Sequence, residues 1–261
     1  MPLQLSTIPL LPDLGGKIAL VTGGSRGIGA DTCLALARNG VKVAVNGRDE
    51  ARIRATVEAI RAIDGEAMAA RADCSRLPDI DAMRDRIHDE WGVPDFIVAF
   101  AGGGTERPMP FAQITEQDWR SSIDNNLTST FLTVKSFLPA MIERGSGGIV
   151  SMASAGGRVA AGAPAGYGAA KAGVIMLTRH LANEVGKHGI RANCISPSAI
   201  LTERTRQNIP GEQEQRMLAA FPLGRLGRPD DVAAATLFLL SSASAWITGV
   251  TLDVAGGRVM S

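Results

Sequence analysis

Apolar positions along the chain fall into two alternating spacings. Short, nearly continuous runs at 17–22, 42–46, 95–99, 148–152, 190–195 and 250–254 are rich in Val, Ile and Ala and read as strands buried on both faces. Between them, segments 28–39, 49–63, 78–91, 116–144, 167–187 and 229–241 repeat apolar residues at intervals of three and four, which predicts helices. Strand followed by helix, repeated, calls for right-handed crossovers and a parallel sheet covered on both faces, so the fold class is α/β. No linker or repeat divides 17–261, which reads as one domain after an N-terminal tail at 1–16. One stretch interrupts the rhythm: 201–226 is polar, carries Pro210-Gly211 and follows a strand, as a lid over a binding crevice would.

Composition narrows the functions open to such a domain. The 261 residues are 45% hydrophobic and 20% charged, with a formal net charge of +1. No segment concentrates Lys and Arg among aromatics, so no nucleic-acid partner is expected. The longest apolar run, 232–240, is far short of the roughly 20 residues that span a bilayer. The opening MPLQLSTIPLLPDLGGK lacks a positive n-region, and its prolines and Asp13 interrupt the apolar run, which argues against a cleaved leader. Cys33, Cys74 and Cys194 are odd in number and have no metal-ligand spacing, as befits reduced thiols in a cytoplasmic protein without a metal site.

The first strand ends in Thr22-Gly23-Gly24-Ser25-Arg26-Gly27-Ile28-Gly29 and runs directly into a helix. Amides at a helix N-terminus face whatever occupies the turn, which suits a pyrophosphate. Gly23 permits the tight turn, Gly27 a close approach of backbone to phosphate, and Gly29 close packing of helix on strand. Any sharp strand-to-helix turn wants glycine, so position carries the argument: the turn follows the first strand of a βαβ unit. The second strand ends in Asn46-Gly47-Arg48, where an NAD-binding chain offers a carboxylate to the adenosine ribose. Arg48 with Arg26 can clamp a 2′-phosphate instead, which points to NADP(H) over NAD(H). Asp49 suits the N-cap of the following helix.

Tyr167-Gly168-Ala169-Ala170-Lys171 contains the chain's single tyrosine. Residues four apart on a helix share a face, so phenol and ammonium point the same way. A free tyrosine titrates near pKa ~10, and a neighbouring cation favours its phenolate. Tyr-x-x-x-Lys arises often by chance, but with one tyrosine in the chain the coincidence carries more weight.

From about residue 17 to 257 the sequence resembles the short-chain dehydrogenase/reductase family. The resemblance rests on TGGSRGIG, Asp73, Asn126 in NNLTSTF, Ser154 in IVSMASAGG, YGAAK and the closing ITGVTLDVAGG. It implies a single-domain Rossmann fold, a doubly wound, mostly parallel seven-stranded sheet flanked by helices. It implies further that Tyr167 is the acid in reduction and the base in oxidation, that Ser154 polarises the substrate carbonyl, that Lys171 binds the nicotinamide ribose and lowers the Tyr167 pKa, and that Asn126 holds a water of a proton relay. Cofactor contacts carried over are Gly23, Ser25, Arg26, Gly27, Ile28, Gly29, Arg48, Asp73 and Cys74 at the adenosine end, then Ala101, Gly102, Tyr167, Lys171, Pro197, Ile200 and Thr202. Ser151 competes with Ser154, but Ser151 falls within a strand while Ser154 lies beyond its end, where this fold places ligands.

Two positions depart from the family pattern. Ala99-Phe100-Ala101-Gly102 stands where Asn-Asn-Ala-Gly is usual, which removes a side-chain amide. Pro197-Ser198 replaces Pro-Gly, and serine accepts a positive φ poorly. The resemblance is closest to 3-oxoacyl-carrier-protein reductases, which implies reduction of a ketone, small or carrier-bound, in a homotetramer. Arg144, Lys187 and His188 are the basic residues considered for docking a carrier. A sugar, polyol or steroid alcohol dehydrogenase would share the same catalytic residues. Against a catalytically silent dinucleotide-binding regulator stands the complete set of Asn126, Ser154, Tyr167 and Lys171.

Overall fold

A computed structural model of the chain describes residues 8–103, 108–160, 162–203, 205 and 218–260. Seven strands, β1 (Ile18–Thr22), β2 (Lys42–Gly47), β3 (Ala67–Arg71), β4 (Phe96–Ala99), β5 (Gly147–Met152), β6 (Ile190–Pro197) and β7 (Thr251–Val254), form one sheet. Every pairing is parallel and the order is β3-β2-β1-β4-β5-β6-β7. The order reverses between β1 and β4, which opens a crevice beyond their carboxyl ends.

Helices α1 (Gly27–Arg38), α2 (Glu50–Arg61), α3 (Leu77–Trp91), α4 (Glu116–Ile123), α5 (Ser129–Arg144), α6 (Ala165–Val185) and α7 (Pro229–Leu240) cover the sheet. Along β1 the side chains alternate between two cores: Ala19 and Val21 pack with residues of α1, α2 and α7, whereas Leu20 packs with α3, α5 and α6. Burial on both faces explains why these strands read as continuous apolar runs.

The structure revises the pattern-based reading at three places. β3 is absent from the runs picked out by periodicity, because Ala-Met-Ala-Ala-Arg holds no β-branched residue and alanine favours helix. The single helix expected over 116–144 is broken by a π-helical turn at Asp124–Thr128. Hydroxyls of Ser129, Thr130 and Thr133 bond back to carbonyls four residues earlier just after it, local competition that apolar spacing does not register. Residues 8–16 do not trail from the domain: Leu14 is fully buried, Ile8 joins the core, and Leu11 donates its amide to Asn39 Oδ1 at 2.6 Å. Ser198 poses no backbone conflict, since Asp64 is the single non-glycine residue with positive φ among those described. Of the expected lid over 201–226, residues 204 and 206–217 lie outside the described residues.

Candidate active site

The turn after β1 is built by contacts that tolerate no side chain. A Cβ on Gly23, which has φ +67°, would stand 2.8 Å from the Phe100 carbonyl, and one on Gly29 would collide with the carbonyl of Gly23. Arg26 is the extended N-cap of α1, so the free amides of the first turn open into the crevice. Gly27 lies next to Thr202: a Cβ there would meet the Thr202 methyl at 3.4 Å, so the segment after β6 reaches over the turn. The backbone cradle, with α1's first-turn amides facing it, fits a dinucleotide pyrophosphate.

At the end of β2, Arg48 holds a largely exposed guanidinium 3.8 Å from Asp73. Burial pushes the Asp73 carboxyl pKa up, but hydrogen bonds from the Ser75 amide and hydroxyl outweigh it and hold the group below its ordinary value, helped by Arg48 and Arg76. Asp49 caps α2 by accepting from the Arg52 amide, as its position in the sequence implies. Cys74 is buried, donates to Asn46 Oδ1 at 3.2 Å, and has its thiol pushed up to about 12 by burial. Its side chain is packing; what it can offer a ligand is backbone.

Beyond β4, Thr22 Oγ1 accepts the Ala101 amide at 3.0 Å across the point where the strand order reverses. Phe100 turns into the core beside α1, so the departure from Asn-Asn replaces a polar contact by apolar packing. Gly102 and Gly103 both have positive φ, and the Gly103 amide donates to Asn126 Oδ1 at 2.9 Å. Asn126, 1% exposed, also donates to the Ser122 carbonyl at 2.9 Å. It sits in the π-helical turn, whose Leu127 packs so closely on α6 that a Cβ at Gly173 would be 2.8 Å from Leu127 Cδ2. Such bulges recur at functional sites.

Ser154 lies beyond β5 as the N-cap of a short 3₁₀ turn, Ala155–Gly157, with its Oγ accepting the Gly156 amide at 3.2 Å. Ser151 stays inside the strand, bonded to Thr178 Oγ1 at 2.6 Å and 3% exposed. The 3₁₀ turn presses on α6: a Cβ at Gly157 would be 2.7 Å from the Ala172 amide nitrogen. A Cβ at Gly156 would collide with Ala163 Cβ at 2.8 Å and stand 3.6 Å from Ser154 Oγ and 3.7 Å from the Tyr167 ring, so Ser154 and Tyr167 both flank this glycine. Lys171 Nζ stands 5.6 Å from the centre of the Tyr167 ring and donates to the Met152 carbonyl at 2.8 Å. Only 3% exposed, Lys171 has its pKa drawn down to about 8 by burial, with a smaller opposing influence from Cys194.

Pro197 ends β6, and the buried Ile200 bridges Gly227. Thr202 donates its amide to Thr205 Oγ1 at 2.6 Å. Glycine turn, Asn126, Ser154, Tyr167, Lys171 and Thr202 therefore meet at the carboxyl ends of the strands, where an α/β sheet takes its ligands. The docking residues do not join them. Arg144 donates to the carbonyls of Val93, Pro94 and Ser146, and Lys187 and His188 precede β6, so all three lie at the amino ends of strands. They are therefore not beside the crevice and do not form a carrier-docking patch there. Sequence reasoning also overlooked Thr22 and the Met152 carbonyl; a hydroxyl ending the first strand was a visible signal, a backbone carbonyl was not.

A family model described as Enoyl-(Acyl carrier protein) reductase matches residues 23–258. The chain belongs to the short-chain dehydrogenase/reductase family. It is 38% identical over 247 residues to a 3-oxoacyl-[acyl-carrier-protein] reductase of Chlamydia pneumoniae, covering 94% of this chain and 97% of that one. It is 37% identical over 242 residues to (2S)-[(R)-hydroxy(phenyl)methyl]succinyl-CoA dehydrogenase subunit BbsD of Thauera aromatica, covering 93% and 96%. The structure of a 3-oxoacyl-[acyl-carrier protein] reductase with bound NAD from Brucella melitensis superposes with a TM-score of 0.89 at 31% identity, over 98% of this chain and 96% of that one. The short-chain dehydrogenase/reductase described here is an oxidoreductase interconverting a carbonyl and an alcohol. Among its described residues no helix is long and apolar enough to cross a membrane, and no His, Cys, Asp and Glu cluster could hold a metal ion.

Proposed function

We propose that the chain is an NADP(H)-dependent reductase of 3-oxoacyl-type ketones, with Asn126, Ser154, Tyr167 and Lys171 as its catalytic set. The observation that carries this reading is the buried Lys171 beside the Tyr167 ring, with Ser154 Oγ and the Tyr167 ring both flanking Gly156. When bound, the nicotinamide supplies the hydride to the carbonyl carbon. Ser154 Oγ donates to the substrate oxygen as negative charge develops there, and the Tyr167 hydroxyl delivers its proton to the same oxygen, completing the alcohol. Lys171, positively charged below about pH 8, favours the phenolate that remains. The protons of Lys171 Nζ not taken by Met152 are available to the nicotinamide ribose, and Asn126 ties the loop carrying Ala101 and Gly102 to the end of α4 while positioning a water toward Lys171.

At the other end, Gly23, Ser25, Gly27, Ile28 and Gly29 hold the pyrophosphate, Asp73 and Cys74 the adenine, and Arg48 with Arg26 the 2′-phosphate. Pro197, Ile200 and Thr202 meet the carboxamide. In this reading the protein works in the cytoplasm and assembles as a homotetramer. Support for an acyl substrate comes from relatives named for 3-oxoacyl reduction, the ketone being small or carrier-bound. Steady-state rates on a panel of 3-oxoacyl thioesters, oxo-sugars and oxo-steroids, each with NADPH and NADH, test the assignment. Fastest turnover of a 3-oxoacyl thioester with NADPH is expected; fastest turnover of a sugar or steroid, or with NADH, overturns the corresponding part.

A further inference from the structure

An open groove of about 530 Å³ runs from the carboxyl ends of β2 and β3 to the start of α3. Arg48, Arg71, Arg76 and Arg86 line it together with Asp73 and Asp79. Three of the arginines are committed: Arg48 faces Asp73 at 3.8 Å, Arg76 faces Asp79 at 3.7 Å, and Arg86 donates to the Ala69 carbonyl on the outer edge of β3. Arg71 differs. It pairs in register with Gly47, the last residue of β2, and its Nε donates to the backbone carbonyl of Arg48 at 3.1 Å. That bond anchors the guanidinium beside the strand end where the adenosine ribose is read, and its terminal nitrogens meet no carboxylate among the described residues.

We infer that Arg71 is a specificity-determining residue, donating its terminal fork to the 2′-phosphate of NADP(H) beside Arg48. This rests on the NADP(H) reading above. A guanidinium fork matches two phosphate oxygens, and because Arg48 is already drawn toward Asp73, Arg71 adds an uncommitted guanidinium to the clamp formed with Arg26. The Asp73 carboxylate, occupied by Ser75 and Arg48, does not compete for Arg71. The bond to the Arg48 carbonyl also means that Arg71 needs little ordering on binding, which lowers the entropic cost of the contact.

Calorimetric titration of the whole chain with 2′,5′-ADP and with ADP tests the assignment without turnover. The unmodified protein is expected to bind 2′,5′-ADP at least ten times more tightly than ADP. Arg71→Ala should weaken 2′,5′-ADP about tenfold and leave ADP within a factor of two, whereas Arg86→Ala should change neither. If Arg48→Ala removes the preference and Arg71→Ala does not, the NADP(H) reading stands and this inference fails. If Arg71→Ala weakens both ligands equally, its role is structural and the inference fails. If the unmodified protein does not distinguish the two ligands, the NADP(H) reading fails and takes the inference with it. Circular dichroism of Arg71→Ala, and Arg71→Lys retaining part of the preference, separate loss of the contact from loss of the fold.

Discussion

Lys171 and Arg191, two cations drawn out of water at opposite ends of the sheet, are treated differently. Arg191, at the start of β6, donates to the carbonyls of Leu239, Leu240, Ser241 and Ile247 and to Ser244 Oγ. Those carbonyls belong to the last turn of α7 and the chain just after it, where a helix leaves acceptors unsatisfied and favours positive charge. Lys171, more deeply buried, meets one protein carbonyl, that of Met152. Arg191 closes a helix and its bonding is filled by the fold. Lys171 keeps donor capacity and a lowered pKa, and both are available only to something that enters the crevice. Incomplete bonding of a buried charge, more than the charge itself, separates the chemical end of the sheet from the structural end.

The sharpest test of that contrast removes the proton donor. Tyr167→Phe should lower kcat by roughly 10²–10⁴-fold while leaving calorimetric binding of NADPH nearly intact; near-normal turnover would put the acid elsewhere. Arg191→Met should strip the end of α7 of its donors and cost about 2–4 kcal/mol of stability in urea unfolding. Its kcat per folded molecule should be unchanged, and a large loss there would erase the distinction between the two ends.

Ser154→Ala should reduce kcat by about 10²-fold with stability preserved, since the hydroxyl acts on the substrate oxygen. Ser151→Ala, three residues earlier, should do the reverse. Its bond to Thr178 Oγ1 is internal, so loss of about 1 kcal/mol with unchanged kcat is expected. If the two serines exchange these outcomes, the assignment of Ser154 falls.

Lys171 gives the pH dependence. Its folded pKa of about 8 lies below the ordinary 10.5, so between those values the unfolded chain holds a proton that the folded one has released. Burial of the charged form therefore penalises the ligand-free fold fully below about pH 8, and stability rises from there toward pH 10.5, by on the order of 3 kcal/mol. Chemical unfolding across pH 7–10.5 should show this rise in the unmodified protein and not in Lys171→Met. Reduction should decline over the same window as the charge beside Tyr167 is lost. Parallel stability curves for the two proteins would refute a lowered pKa at Lys171.

Much of this was legible before any coordinates. Six of the seven strands stand out by their apolar runs, because both faces of a parallel sheet are buried and composition must follow. Gly23 and Gly29 were readable as a turn without room for side chains, and Asp49 as a helix cap, because both effects are local. β3 was hidden by its alanines, whose apolar surface is small and whose intrinsic preference is helical. The π-helical turn was hidden because apolar periodicity does not record hydroxyls that compete for carbonyls.

What the sequence determined by itself is the set of groups: one phenol, an ammonium one helical turn away, a serine past a strand end, and a glycine turn feeding a helix. Only the tertiary structure decided which of them meet. It set Thr22 against Ala101 and Asn126 against Gly103, sent Arg144 to the far end of the sheet, and brought Arg71 beside Arg48 through the pairing of β2 with β3. Spacing along one helix is fixed by covalent geometry. Proximity between strands 24 residues apart, such as Gly47 and Arg71, comes into being only when the sheet assembles.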